Sequence, residues 1–179
     1  ARNAELVALT ARTPERAEQL RRKHGAKRAY TSEEELLRDP EVDAVYIATP
    51  VAEHYREGTL ATQAGKHILM EKPLTVSADE TKALIDCCEA HKVAFGAGFM
   101  MRFGTHVQSM RRAVLDGRIG TVLSGTANFT LWMPYQSGVW RLQKKNGGGA
   151  LMDMGIHCLD LISFITGMRV TEVAAMNEN

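Results

Sequence analysis

Short apolar runs and well-capped helical stretches alternate without a break through the first 98 residues, and this alternation limits the folds open to the chain. The run "ELVALTA" (5–11) has strand character. Thr13 and Pro14 then offer an N-cap and a first-turn proline to a helix that Gly25 closes. "AKRAY" (26–30) is a second strand, and Ser32 to Glu35 has the capping-box spacing that opens another helix. "VDAVYIATP" (42–50) is apolar and β-branched, and the helix after it, through "EHYREGTLATQAG", stops at Gly65. "HILM" (67–70) is the fourth strand. Ser77 to Glu80 repeats the capping box ahead of "TKALIDCCEAHK", and "VAFGAGFM" (93–100) is the fifth strand. Short links in this order predict a doubly wound parallel sheet over residues 1–98, with "HILM" covered on both faces.

The pattern changes near residue 100. A helix through "HVQSMRRAVLDG" (106–117) precedes "GTVLSGTANFTLW" (120–132), whose Thr, Val and aromatic content suits an antiparallel strand. A loop with Pro134 and "KKNGGG" follows, then a helix from about Ala150 to Thr166 and a last strand from Val170 to Ala175. Residues 99–179 are therefore expected to begin a second, α+β domain with a mostly antiparallel sheet. No internal repeat or low-complexity tract interrupts the chain.

Composition narrows the function classes. Twenty-two basic residues against 21 acidic ones give a net charge of +1, so no electrostatic case exists for nucleic acid or an anionic membrane surface. No apolar run approaches the roughly 20 residues that span a bilayer, and the N-terminal stretch carries no signal-peptide pattern. Cys87, Cys88 and Cys158 are odd in number and lack Cys-x-x-Cys spacing. Neither a metal site nor a disulfide framework is expected, and a reducing, cytoplasmic compartment is the default.

Chemistry enters where "HILM" runs into "EKPLT". In an open α/β sheet, ligands bind beyond the carboxyl ends of the strands, where Glu71 and Lys72 stand. Pro73 restricts the backbone of Lys72 and supplies no N–H, so the chain leaves the sheet in a defined conformation. A lysine in a partly desolvated crevice is suited to proton transfer. The plainer reading is a strand end with solvated charges.

A second anomaly lies in "ALMDMGIHCLDLISFIT". This helix is apolar nearly all the way round and is expected to be buried, yet Asp153, His157 and Asp160 form one polar stripe at i, i+4 and i+7. Buried ionisable groups are paired or functional. An internal network in which carboxylates fix the imidazole is the alternative, and Asp160 stands nearer to it. Two carboxylates and one histidine make a weak zinc site.

Taken in order, "TPVAEHYREGTLATQAGKHILMEKPL", "FMMRF", "DGRIG" and "GGGALMDMGIHCLDL" resemble the Gfo/Idh/MocA family of glucose-fructose oxidoreductase and inositol dehydrogenase type, over essentially the whole chain. The resemblance implies a nicotinamide-binding Rossmann domain followed by an α+β domain that supports substrate and often a dimer interface. It implies that Lys72 transfers the proton, that Asp153 and His157 face the reacting hydroxyl or carbonyl, and that Thr49, Pro50, His54 and Glu71 lie along the cofactor. Arg102, in "FMMRF", is a further cofactor candidate. Departures exist: asparagine is common in the family where Val51 stands, and the family's Gly-x-Gly-x-x-Gly turn is absent from the sequence. The chain is therefore expected to be an internal piece of a longer protein, with further sheet strands after it.

At the end of the first strand, a NAD-selective Rossmann protein carries an acidic residue for the ribose 2′-hydroxyl. Ala11 and Arg12 occupy that place, a small residue beside a guanidinium that suits a 2′-phosphate, so NADP is expected ahead of NAD. Arg12 simply lying at the head of the next helix is the alternative. Trp140 and Arg141 suit stacking on and hydrogen bonding to a sugar or polyol, or else form a core tryptophan with an exposed neighbour. The expected reaction is hydride transfer between NADP(H) and a hydroxyl or ketone of a sugar, cyclitol or diol, in a homo-oligomer. A dihydrodiol dehydrogenase, its pocket lined by Trp132, Met133 and Trp140, and a non-catalytic dinucleotide sensor are the alternatives.

Overall fold

In the computed structural model the described residues are 3–132, 134, 139–143 and 146–176, without the side chain of Trp140. They fall into two compact units, Ala1–Gly98 and Phe99–Asn179.

The first unit holds five parallel strands in two pieces. β1 (Ala8–Thr10) pairs with β2 (Arg28–Tyr30), and β4 (His67–Met70) lies between β3 (Ala44–Ile47) and β5 (Phe95–Ala97). Every link between consecutive strands is helical: α1 (Pro14–His24), α2 (Glu33–Arg38), α3 (Val51–Gln63) and α4 (Ala78–His91). Caps set these boundaries. Thr13, Ser32 and Ser77 each accept the N–H of the residue three further on, satisfying a donor that the first helical turn leaves open. Gly25 closes α1 at φ 72°, and Gly65, at φ 71°, turns the chain out of α3.

The core forms between one sheet face and α3 and α4. Ile47, Ile68 and Met70 meet Ala61, Leu84 and Cys88 there. Gly58 makes this approach feasible, because a Cβ on it would stand 2.8 Å from the Met70 methyl and 3.0 Å from Leu84. The expectation that "HILM" is covered on both faces fails: its side chains alternate between exposed and buried, with Leu69 47% exposed and Met70 fully buried. α3, before the strand, and α4, after it, both lie on the Met70 side, so the pleat sorts the strand into a core face and an open face.

The second unit has α5 (Thr105–Leu115) and α6 (Ile156–Thr166), with 3-10 turns at Met100–Phe103 and Trp140–Leu142. Among the described residues, 121–132 and 170–175 join no ladder, so neither the predicted antiparallel strand nor the predicted last strand is formed. β-branched and aromatic content favours a strand only where a hydrogen-bonded neighbour completes it. The predicted helix from residue 150 is present, but it opens with a π turn, Leu151–Gly155, before α6. Nor is it buried all round: Leu159 is 54% exposed while His157 is 7% exposed. Only the side facing α5 and the Phe99–Phe103 turn is covered.

Candidate active site

In the first unit, the carboxyl ends of adjacent strands carry Thr49 and Pro50 after β3, Glu71 and Lys72 after β4, and Gly98 after β5. The pleat that buries Ile68 and Met70 turns Glu71 to the opposite face, with Leu69. Glu71 extends the ladder by one residue, its N–H donating to Ile47 O at 2.9 Å. The Tyr46 hydroxyl donates to Glu71 Oε1 at 2.5 Å, and the Lys72 N–H donates to Glu71 Oε2 at 3.2 Å. Donation to that carboxylate, with burial adding to it, pushes the Tyr46 phenol up to about 12. Gly98 leaves room for this arrangement. A Cβ there would lie 3.1 Å from Met70 O and 3.2 Å from the Glu71 Cα, backbone atoms that cannot move aside. Lys72 is half-buried, and its bond to Pro73 is cis.

Thr49 and Pro50 are exposed at the head of α3. The Thr49 hydroxyl donates to Glu57 Oε2 at 2.5 Å. Burial, assisted by the nearby Glu33 carboxylate, pushes the Glu57 carboxyl up to about 7 against the opposing Thr49 hydrogen bond and Arg56 charge. Glu57, Thr49 and Ile47 also border a cleft of ≈ 990 Å³ that separates β3 from Leu6 and Leu9 of the β1 segment. At the end of β1, Ala11 donates its N–H to Tyr30 O at 3.2 Å and Arg12 is exposed.

Two expected cofactor ligands are engaged elsewhere. His54 is 1% exposed, with Nε2 2.9 Å from Thr49 O and Nδ1 3.0 and 3.2 Å from Pro73 O and Leu74 O. Its ring is consumed by main-chain carbonyls rather than offered to a ligand. In the second unit, Arg102 forks onto Asp160, with Nε 3.0 and 2.9 Å from the two carboxylate oxygens and a further short contact from NH2. Its guanidinium also lies over the Phe99 and Phe164 rings at 5.6 and 5.1 Å, which fixes it as a structural cation.

The polar stripe of the second unit divides accordingly. Asp160, with its side chain 7% exposed, belongs to Arg102. Asp153 is 3.3 Å from the Arg141 guanidinium, so two predicted site residues meet. His157 is buried edge-on between Phe99 and Phe129, at centroid distances of 6.2 and 5.8 Å. The Trp140 side chain and Met133 lie outside the described residues, and Trp132 is 87% exposed. Among the described residues no group of three ligating side chains could hold a metal, and no helix is long and apolar enough to cross a membrane.

Sequence reasoning missed Tyr46, Glu57 and Gly98 in the first unit and the Phe99–Phe129 pair in the second. Tyr46 is legible only once the register opposite Leu69 is known. Glu57 carried a signal: a carboxylate three residues after His54, on the apolar side of α3.

Comparison with known proteins identifies the family of the two units. Residues 1–99 match the oxidoreductase family with an NAD-binding Rossmann fold, and residues 107–179 match the GFO/IDH/MocA C-terminal domain. The chain is 37% identical to a D-xylose 1-dehydrogenase (NADP(+)) of Haloferax volcanii, over 91% of this chain and 50% of that protein. It is 33% identical to the trans-1,2-dihydrobenzene-1,2-diol dehydrogenase of Bos taurus, over 91% and 48%. The fold superposes with a TM-score of 0.80 on a levoglucosan dehydrogenase in complex with NADH and levoglucosan, at 28% identity, covering 90% of this chain and 45% of that one. The chain thus spans about half the length of the curated relatives it matches.

Proposed function

The chain belongs to the Gfo/Idh/MocA oxidoreductase family, and from that premise we propose that the protein transfers a hydride between NADP, in preference to NAD, and a hydroxyl or ketone carbon of a sugar, cyclitol or related polyol. The observation that carries this reading is the half-buried Lys72 at the carboxyl end of β4, directly after a Glu71 held by Tyr46. A lysine there suits exchange of the proton of the substrate oxygen.

The residues present fit a dinucleotide phosphate. Arg12 is exposed beside the small Ala11 at the end of β1, where no carboxylate would repel a 2′-phosphate. Thr49, Pro50 and Glu71 lie at neighbouring strand ends and would border the rest of the cofactor. When bound, the nicotinamide supplies the acceptor or donor of the hydride. Lys72 takes the hydroxyl proton on oxidation and returns it to the carbonyl oxygen on reduction. His157 assists, Asp153 tunes the charge around it, and Arg141, tied to Asp153, orients a polyol together with Trp140. Similarity to the bovine dihydrodiol enzyme supports a second reading, with the same proton and hydride movements on a trans-diol. We place the enzyme in the cytoplasm, in keeping with three free cysteines, and as a homo-oligomer on family resemblance.

Steady-state assays of the full-length protein test this, with NADP and NAD against D-xylose, levoglucosan and a trans-dihydrodiol, and with NADPH and NADH against 1,5-anhydro-D-fructose. Turnover of a sugar or polyol is expected, with Lys72→Met lowering kcat by about 10²–10⁴ while cofactor affinity is largely retained. Unchanged kcat in Lys72→Met would remove the assignment of the proton to that residue.

A further inference from the structure

We propose that His54 is a positioning residue that sets the backbone of the Lys72–Leu74 turn, and so the place of the Lys72 ammonium, instead of binding the dinucleotide. The inference rests on the reading of Lys72 as the proton-transfer residue.

The chain around Lys72 is fixed on its N-terminal side by the sheet. Glu71 donates to Ile47 O at 2.9 Å, Gly98 donates to Met70 O at 2.7 Å, and Tyr46 holds the Glu71 carboxylate. The ladder cannot continue past Lys72, because Pro73 has no N–H to give. On the C-terminal side the imidazole takes over. His54 Nδ1 stands 3.0 Å from Pro73 O and 3.2 Å from Leu74 O, while Nε2 stands 2.9 Å from Thr49 O. One planar ring therefore stands between the segments that leave two adjacent strands, β3 and β4, and in either neutral tautomer its single N–H donates to a carbonyl of one of them.

The ring is itself buried. It grows from the first turn of α3, beside Val51, which is 2% exposed, and the histidine is 1% exposed. A side chain so buried, with both nitrogens directed at carbonyl oxygens, offers no atom to a ligand. It can act on the reaction only through the backbone it holds. A displacement of about 1 Å in a reacting group is enough to slow a reaction about 100-fold, so a loosened turn would be felt at Lys72 before it is felt anywhere else.

The test uses the full-length protein, NADP with D-xylose and levoglucosan as probes, and His54→Ala and His54→Gln, each alone and combined with Lys72→Met. In His54→Ala, kcat per folded molecule is expected to fall about 10- to 100-fold with the NADPH dissociation constant within about threefold. His54→Gln, which keeps one amide donor near the same carbonyls, should recover part of the loss, and it supplies the measurement if the alanine variant does not fold. Within Lys72→Met, either change should lower the residual kcat less than about twofold, because the group being positioned is gone. Undiminished losses in the Lys72→Met background, or an NADPH affinity that falls as far as kcat, would overturn the positioning role while leaving Lys72 in place. Full activity in Lys72→Met alone would overturn both readings.

Discussion

Tyr46 on β3 donates its phenol hydrogen to Glu71 beyond the end of β4, over 2.5 Å, so the acidic neighbour of the candidate proton-transfer lysine is anchored from the next strand. The other carboxylate oxygen takes the Lys72 N–H at 3.2 Å. Tyr46→Phe removes one of these two restraints without altering the sheet. The variant should keep its melting temperature within a few degrees and lose about 3- to 10-fold in kcat/KM, as befits one charge-assisted hydrogen bond at a half-open site. A loss confined to thermal stability would assign Tyr46 to folding alone.

Arg12 is the residue proposed to set cofactor choice. If it holds the 2′-phosphate, Arg12→Ala should weaken NADP binding by about 1.5–3 kcal/mol and leave NAD nearly unchanged. Calorimetric titration of both cofactors decides the matter, and equal losses would transfer selectivity elsewhere.

Glu57 gives the fold a pH dependence of predictable sign. Its carboxyl is raised from 4.5 to about 7, chiefly by burial, so the folded protein keeps a proton that the unfolded chain has already released. The folded value is the higher one. This contribution to stability is therefore complete below pH 4.5 and is lost as pH rises through 7. Glu57→Gln stays neutral and should gain on the wild type by about 1–2 kcal/mol between mildly acidic and mildly alkaline pH in urea titrations. An advantage that shrinks as pH rises would contradict the assignment.

In the second unit, Arg102→Ala would leave Asp160 with its side chain 7% exposed and its fork removed. Loss of one partner from such a pair should destabilise by about 2–3 kcal/mol, scaled down from a fully buried pair because Arg102 is 41% exposed. Arg102→Lys should recover less than half, since an ammonium cannot reproduce the two-pronged geometry or the stacking on Phe99 and Phe164. Calorimetric unfolding of the two variants provides the comparison.

The first unit was legible because its signals are local. Thr13, Ser32 and Ser77 cap helices by hydrogen bonds that span three residues, and Gly25 ends one by its own backbone. The second unit depends on pairing across the chain, which composition does not disclose: Thr and Val in 121–132 describe a segment fit for a strand without naming its neighbour. The site shows the same division. Lys72 announces itself through Pro73, whereas Tyr46 and Glu71 are 25 positions apart and meet only through strand register. His54 was visible as a residue but not as a role. Nothing in "TPVAEHY" indicates that the ring turns inward onto Pro73 and Leu74 rather than outward.

Alternation along β4 couples the correctness of the fold to the correctness of the site. Met70 occupies the core while Glu71, one step on, meets Tyr46 on the opposite side. Were β4 to shift by a single residue against β3, the methionine would be expelled into water and the carboxylate driven under α3 and α4. A misregistered molecule therefore cannot survive as a stable but inactive species. The hydrophobic penalty of the error eliminates it, so proofreading of the candidate site is delegated to the core.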